Sequence, residues 1–150
     1  MKRICIIVIS GKLGQYMTEH ALKLGYEVRG VCRPESVGKL ARFEGRIEVF
    51  PGRTDDRAVL AQALEGCDGV LTVLAPWGVD DYASGTAKAV LDLSDPGARL
   101  VFSCGWHISL DGKDRFSAKL KAAIVLSKML RVTRIVDIND QYRATNAIFA

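Results

Sequence analysis

Short apolar runs alternate with amphipathic stretches along the chain. Residues 4–9 (ICIIVI) are continuously apolar and rich in β-branched side chains, which is typical of a strand buried on both faces. The same criteria predict further strands at residues 26–32, 47–50, 69–74 and 99–103. Apolar residues at helical spacing predict helices at 15–24, 36–43, from about 56 to 64, at 80–93 and at 114–130.

The ends of these helices carry their own signals. Gly25 predicts the C-terminal stop of the first helix. Ser36 is expected to cap the second helix, and Asp55 or Asp56 the third, because short polar side chains accept hydrogen bonds from helix N–H groups. Regular alternation of strands and helices predicts one parallel sheet with helices on both faces. Right-handed crossovers then give a single domain over residues 1–150: an α/β, Rossmann-like, doubly wound sheet of five strands in the order 3-2-1-4-5.

Composition is that of one soluble globular domain. The 150 residues are 49% hydrophobic and 25% charged, with a net charge of +4. Disorder and a membrane span are excluded, because the apolar content is ordinary and no apolar run approaches the roughly 18 residues that a span needs. Four cysteines without a CxxC pair, together with two histidines, argue against a zinc site. We expect buried, reduced thiols and a cytoplasmic location.

The segment IIVISGKLGQYM, residues 6–17, contains the main functional signal. A buried strand runs into a turn with Gly11 and Gly14 that opens a helix, and the N–H groups of a helix N-terminus suit a pyrophosphate. Gly11 lets the backbone approach the phosphates, and Gly14 lets the helix pack closely on the strand. Ser10, Lys12 and Leu13 complete the expected cofactor-binding loop. A tight turn without a ligand is the alternative interpretation.

With this loop in view, nearly the whole chain resembles the atypical short-chain dehydrogenase/reductases. The resemblance is to NmrA-like and biliverdin-IX-beta-reductase-like NAD(P)H-binding proteins, whose first loop usually has the pattern GATGxxG. The matching stretch here is residues 8–14, in which Gly11 and Gly14 are retained and Val8 replaces the first glycine. A β-branched residue resists positive φ, so either the turn is remodelled or cofactor affinity falls.

Arg33 indicates which dinucleotide the loop would hold. NAD-selective sites usually place an acidic residue at the end of the second strand, whereas an arginine suits a 2′-phosphate. We therefore expect NADP(H) in preference to NAD(H), with Lys12 as a second cation, unless Arg33 is an ordinary surface residue. The Gly-Asp pair that relatives often carry after strand three is Gly52-Arg53 here, and nearby Asp55 is expected to act as a helix cap.

Catalytic residues are harder to assign. Ser103 stands where the resemblance places a catalytic serine, but the helix that should carry a YxxxK pair has Phe116 and Lys119. The tyrosine-dependent mechanism therefore lacks its proton donor, although direct hydride transfer needs mainly positioning. Ser103 either orients the reactants or bonds the backbone at a strand end. His107 is a further loop candidate.

Other segments leave two interpretations each. Ala75 and Pro76, with Trp77, follow strand four and are expected to line the cofactor crevice, although a tryptophan at its rim needs no ligand. Residues 113–134 carry seven basic and one acidic side chain, a local net charge of +6. A solvated helix face explains this better than nucleic-acid binding, because aromatic residues are almost absent there.

The chain stops about where the family's sixth strand and substrate region would follow. Strand five is then an apolar sheet edge, which proteins normally cover or pair. A truncated chain, a homodimer over this edge and a substrate region from another chain are the alternatives, and we expect a dimer or larger assembly. The first functional hypothesis is an NADP(H)-binding oxidoreductase-like domain that transfers hydride to a small organic or flavin-like acceptor. The alternatives are a non-catalytic NAD(P)-sensing module and a degenerate domain that has lost its cofactor.

Overall fold

Residues 2–74 and 82–103, with five helical positions at 118, 119, 122, 125 and 126, are described by the computed structural model. The strands are β1 (Arg3–Ile7), β2 (Glu27–Cys32), β3 (Ile47–Pro51), β4 (Gly69–Thr72) and β5 (Arg99–Phe102). The α-helices are α1 (Lys12–Lys23), α2 (Arg57–Leu64) and α3 (Tyr82–Leu93), and a 3₁₀ segment covers Pro34–Phe43.

The five strands form one sheet in the order β3-β2-β1-β4-β5, and every neighbouring pair is parallel. This confirms the Rossmann-like architecture and strand order that the sequence predicts. Two hydrophobic clusters form the core. One includes Leu60 of α2 and Val90 of α3, and the other includes Ala21 of α1 and Leu40 of the 3₁₀ segment. The two clusters therefore lie on opposite faces of the sheet, as right-handed crossovers require.

The apolar run at residues 4–9 is only partly a strand. β1 ends at Ile7, because Val8 turns the backbone to a φ of 69°. Ile9 stays completely buried although it belongs to the loop, which is why the run of apolar letters continues past the strand. Similarly, β4 ends at Thr72 and β5 at Phe102, slightly before the predicted ends. Helix α1 begins at Lys12, three residues earlier than predicted.

The predicted cap at Ser36 was wrong, and of the two candidates for the cap of α2, Asp56 is confirmed and Asp55 is not. The 3₁₀ segment begins at Pro34, with Arg33 as the residue before it, so Ser36 lies buried inside the segment. Proline sets the helical φ at the first position and starts the segment early. Asp56 caps α2, because its Oδ1 accepts hydrogen bonds from the N–H groups of Ala58 and Val59 at 2.9 and 3.3 Å. Asp55, the other candidate, is not the cap.

Strand β5 is less covered than the other strands. Leu100 and Phe102 pack against the cluster of α2 and α3, whereas Arg99 and Val101 on the other face are exposed. A groove of about 460 Å³ runs between α1 and this face of β4 and β5. In the described part of the chain, β5 pairs only with β4. None of the described helices is long and apolar enough to span a bilayer.

Candidate functional site

The loop after β1 is a tight turn tied to the end of β2. The N–H groups of Val8 and Ile9 both donate to the carbonyl oxygen of Val31, at 2.9 and 3.2 Å. The N–H of Gly11 donates back to the carbonyl oxygen of Val8 at 3.1 Å. These three hydrogen bonds fix the backbone of residues 8–11 between the first two strands, immediately before α1.

The N-terminus of α1 has the character of an anion site. Gly11 precedes the helix with extended backbone and supplies no side-chain cap, and the first turn contains no acidic residue. The first backbone N–H to find a partner inside the helix is that of Gln15, which donates to Gly11 at 2.9 Å. Among the described residues, the N–H groups of Lys12, Leu13 and Gly14 have no acceptor, so they and the helix dipole are available to an anion.

Gly14 is buried where the first turn of α1 presses on the loop. An alanine methyl group at this position would lie 2.5 Å from the carbonyl oxygen of Val8 and 2.7 Å from that of Ile9. Because both neighbours are backbone atoms, no side-chain rotation can make room. This is the close approach of helix and strand that the sequence predicts for Gly14, and it brings the free N–H groups to the edge of the sheet.

The side chains of the loop divide between the interior and the solvent. Ser10 is nearly buried, and its hydroxyl makes a hydrogen bond with the Cys32 thiol. Burial raises the pKa of Cys32, and this hydrogen bond opposes the rise. The carbonyl oxygen of Ser10 accepts from Gln15 Nε2 at 2.9 Å. Lys12 and Leu13 are exposed on the first turn, so Lys12 can reach a ligand, while Ser10 faces the end of β2.

Arg33 directly follows β2, next to the loop. Its side chain is 68% exposed, and Nε lies 3.3 Å from Glu35 Oε1. An exposed ion pair of this kind contributes little, because water competes for both groups. The guanidinium of Arg33 can therefore exchange the Glu35 carboxylate for a ligand at small cost.

The end of β3 carries an ion pair that the sequence analysis missed. Arg53 binds both carboxylate oxygens of Asp55, at 2.9 and 2.7 Å, which holds the pKa of Asp55 below its usual value. Next to it, the buried hydroxyl groups of Thr54 and Thr86 lie 3.2 Å apart and join this loop to α3. Single threonines far apart in the sequence give no signal of such a pairing, whereas Arg53 and Asp55 at a spacing of two residues could have suggested the ion pair.

Ser103 joins the ends of β4 and β5. Its hydroxyl accepts the N–H of Leu74 at 3.2 Å, and its own N–H donates to the carbonyl oxygen of Thr72 at 3.1 Å. The bond from Leu74 is the strand-end contact named as the alternative to a catalytic role. That role stays a prediction.

Several candidates lie outside the described residues: Ala75, Pro76, Trp77, His107 and Phe116. Lys119 is described and is an exposed helical residue. Across the described ranges, no group of three or more metal-ligating side chains comes together.

The described candidates share one edge of the sheet. The loop after β1, Arg33 after β2, the Arg53–Asp55 pair after β3 and Ser103 after β5 all follow the carboxyl ends of parallel strands. β1 lies between β2 and β4, where the strand order changes direction. In open α/β sheets the ligand crevice lies at this switch point, with phosphates at the first helix.

Comparisons with known proteins agree with this geometry. A family model described as NAD(P)H-binding matches residues 9–138. A cinnamoyl-CoA reductase 1 of rice, Oryza sativa subsp. japonica, is 29% identical over 109 residues, which cover 65% of this chain and 32% of that protein.

Solved reductase structures share the fold. Vestitone reductase from alfalfa, Medicago sativa, superimposes with a TM-score of 0.70 and 20% identity, over 98% of this chain and 53% of that one. ChuY, an anaerobillin reductase from Escherichia coli O157:H7, superimposes with a TM-score of 0.64 and 21% identity, over 91% and 64%.

Length separates this chain from its relatives. It spans about a third of the rice reductase and between half and two thirds of these two solved chains. Because the NAD(P)H-binding model nevertheless matches 130 of the 150 positions, from residue 9 to residue 138, the chain belongs to this NAD(P)H-binding family, in agreement with its resemblance to the atypical short-chain dehydrogenase/reductases.

Proposed function

We propose that this chain is an NADP(H)-binding oxidoreductase domain that supports hydride transfer to a small organic or flavin-like acceptor. The observation that carries the proposal is the unpartnered N-terminus of α1, which follows a tight glycine loop at the switch point of the sheet. Membership of an NAD(P)H-binding family supports the same ligand. The nicotinamide would supply the hydride, and the chain would hold, orient and shield it.

Each part of the loop has a distinct role in this proposal. The N–H groups of Lys12, Leu13 and Gly14 bind the pyrophosphate, and Gly11 leaves space for it. Arg33 and the Lys12 ammonium neutralise the 2′-phosphate that distinguishes NADPH from NADH. Ser103, Ala75 and Pro76 border the nicotinamide end. The preference for NADPH rests on the exposed guanidinium at the end of β2, where an NAD-selective site would place a carboxylate.

Arg33→Ala is expected to weaken NADPH binding by about 10- to 100-fold, because hydrogen bonds to charged groups contribute ~1.5–3 kcal/mol. NADH binding should stay the same, since NADH has no 2′-phosphate. Calorimetric titration of the wild type and the variant with each cofactor measures both quantities. Arg42→Ala is the matched control: Arg42 is also exposed and lies 3.8 Å from a carboxylate, but it belongs to the far end of the 3₁₀ segment.

The titrations also test the function itself. If Arg33→Ala loses affinity equally for NADPH and NADH, Arg33 does not bind the 2′-phosphate. If the wild type binds neither cofactor, the oxidoreductase proposal fails, and the chain is a Rossmann-like domain that acts through its partners.

A non-catalytic NAD(P) sensor is the second candidate. The hydrogen bond from the Leu74 N–H to the Ser103 hydroxyl favours it, because this contact gives the serine a structural role at the strand end. The absence of a tyrosine at position 116 points the same way. Oxidation of NADPH with quinones, flavins and aldehydes as acceptors separates the two candidates. Turnover supports the reductase, whereas tight binding without turnover supports the sensor.

We propose that the chain forms a homodimer through the β5 edge, with nucleotide and small molecule as its other partners. The exposed face of β5 supports this, because Val101 is 46% exposed on a strand that pairs with β4 alone among the described residues. Gel filtration with light scattering at micromolar concentration should give a dimer mass, and Val101→Lys should shift it to the monomer. A monomer mass for the wild type would contradict the proposal.

A cytoplasmic location is proposed on the state of the cysteines. Cys5, Cys32 and Cys67 are buried free thiols, which suits a reducing compartment.

A further inference from the structure

Val8 is strained in a way that concerns the cofactor loop directly. Its φ of 69° makes it the one non-glycine residue with positive φ in the described part of the chain. A β-branched side chain is disfavoured there, because its Cβ crowds the neighbouring carbonyl. Such a conformation persists only where surrounding contacts determine it, and it is typically found at functional sites.

The contacts that hold Val8 come from both backbone and side chain. Its N–H donates to Val31 at 2.9 Å, and its carbonyl oxygen accepts the N–H of Gly11 at 3.1 Å. The side chain is half-buried against the core cluster that includes Ile7 and Leu60. The turn is therefore not remodelled to suit valine; valine instead adopts the conformation that glycine would have.

From these contacts we infer that the phosphate loop remains competent to bind the dinucleotide despite Val8, and that the cost of valine falls on folding stability instead of cofactor affinity. This inference rests on the proposed function. The groups that would meet the phosphates are the N–H groups of residues 12–14, and the tight fit of Gly14 against the carbonyl of Val8 fixes their position. The Val8 side chain does not crowd Gly11. Val8 Cγ1 lies 3.6 Å from the position that a methyl group on Gly11 would occupy, which is an ordinary contact distance.

Two substitutions distinguish backbone strain at residue 8 from obstruction of the cofactor by the Val8 side chain. Val8→Gly removes both the strain and the side chain, whereas Val8→Ala keeps a Cβ in the strained conformation and loses the packing. At an ordinary position alanine is the more stable of the two; at positive φ the order is reversed. We expect the melting temperature of Val8→Ala to lie below that of Val8→Gly. The dissociation constant for NADPH should differ by no more than about threefold between Val8→Gly and the wild type.

Each opposite result has a definite meaning. A higher melting temperature for Val8→Ala than for Val8→Gly would show that residue 8 is not strained. That result overturns the stability half of the inference, which is that valine lowers folding stability. NADPH binding that is tighter by about tenfold or more in Val8→Gly than in the wild type would show that the valine obstructs the cofactor. That result overturns the affinity half of the inference, which is that valine leaves cofactor affinity unchanged. If no variant binds NADPH, the proposed function fails and takes the affinity half with it. The order of the melting temperatures still decides the stability half in that case.

Discussion

Gly14→Ala is expected to destabilise the protein by about 3 kcal/mol and to abolish measurable NADPH binding. Overpacking a well-filled site costs about 1–3 kcal/mol, and this site is at the upper end because the methyl group would meet backbone oxygens at 2.5 and 2.7 Å. This collision is relieved only if α1 moves away from the loop. That movement also carries the N–H groups of residues 12–14 away from the phosphate position. Urea unfolding and calorimetric titration measure the two effects.

Gly38→Ala is the control for Gly14→Ala. Gly38 lies in the 3₁₀ segment, its φ is not positive, and a methyl group there would meet nothing within 4 Å. Alanine at this position should leave stability unchanged or raise it slightly, since it restricts the unfolded chain. If both variants unfold at the same urea concentration, α1 does not pack on the loop as closely as the structure shows.

The role of Gly14 was predictable because it follows from topology. A strand that enters a helix through a short turn, here the four residues 8–11, brings the first helical turn against the strand end, and only glycine fits there. The sheet order was predictable for the same kind of reason, since right-handed crossovers leave few arrangements. Both are properties of connection and spacing, which a sequence displays directly.

Local geometry was less accessible to sequence analysis. The amino-acid types at residues 4–9 do not show that the strand ends before Val8. Ile9 is as apolar as the strand residues and is also completely buried, although it belongs to the loop. The choice between Asp55 and Asp56 as the helix cap depended on a competing partner: Arg53 binds the first, which leaves the second for α2. Such outcomes depend on contacts that appear only once the chain is folded.

The functional site could likewise be predicted only in part from the sequence. The loop and Arg33 were found from position relative to predicted strands, and the structure places both at the carboxyl edge of the sheet. Hydride transfer needs groups around the nicotinamide, and most of those candidates lie outside the described residues. Among the described ones, the Ser103 hydroxyl accepts the N–H of Leu74, a strand-end contact that residue types alone do not reveal.

Gly30→Ala is the second large effect that we expect, with a loss of about 2 kcal/mol in stability and about a tenfold loss in NADPH affinity. Gly30 lies in β2 directly beneath Ile9, and a methyl group on it would collide with Cδ1 and come within 2.6 Å of Cβ and 2.7 Å of Cγ2 of that residue. Rotation of the Ile9 side chain cannot relieve the contact with Cβ. The backbone of Ile9 must shift instead, which strains the hydrogen bonds of Val8 and Ile9 to Val31 and with them the phosphate loop.

Gly69→Ala provides a matched comparison within the same sheet. Gly69 is also a buried strand glycine, but a methyl group there would meet its nearest neighbours at 3.3 and 3.6 Å, a tight fit without a collision, so we expect a smaller loss of stability than for Gly30→Ala. Urea unfolding of both variants and titration with NADPH measure the contrast. Equal stability of the two variants would mean that Ile9 does not lie over Gly30. A stability loss without a change in affinity would mean that the shift of Ile9 does not reach the N–H groups of residues 12–14.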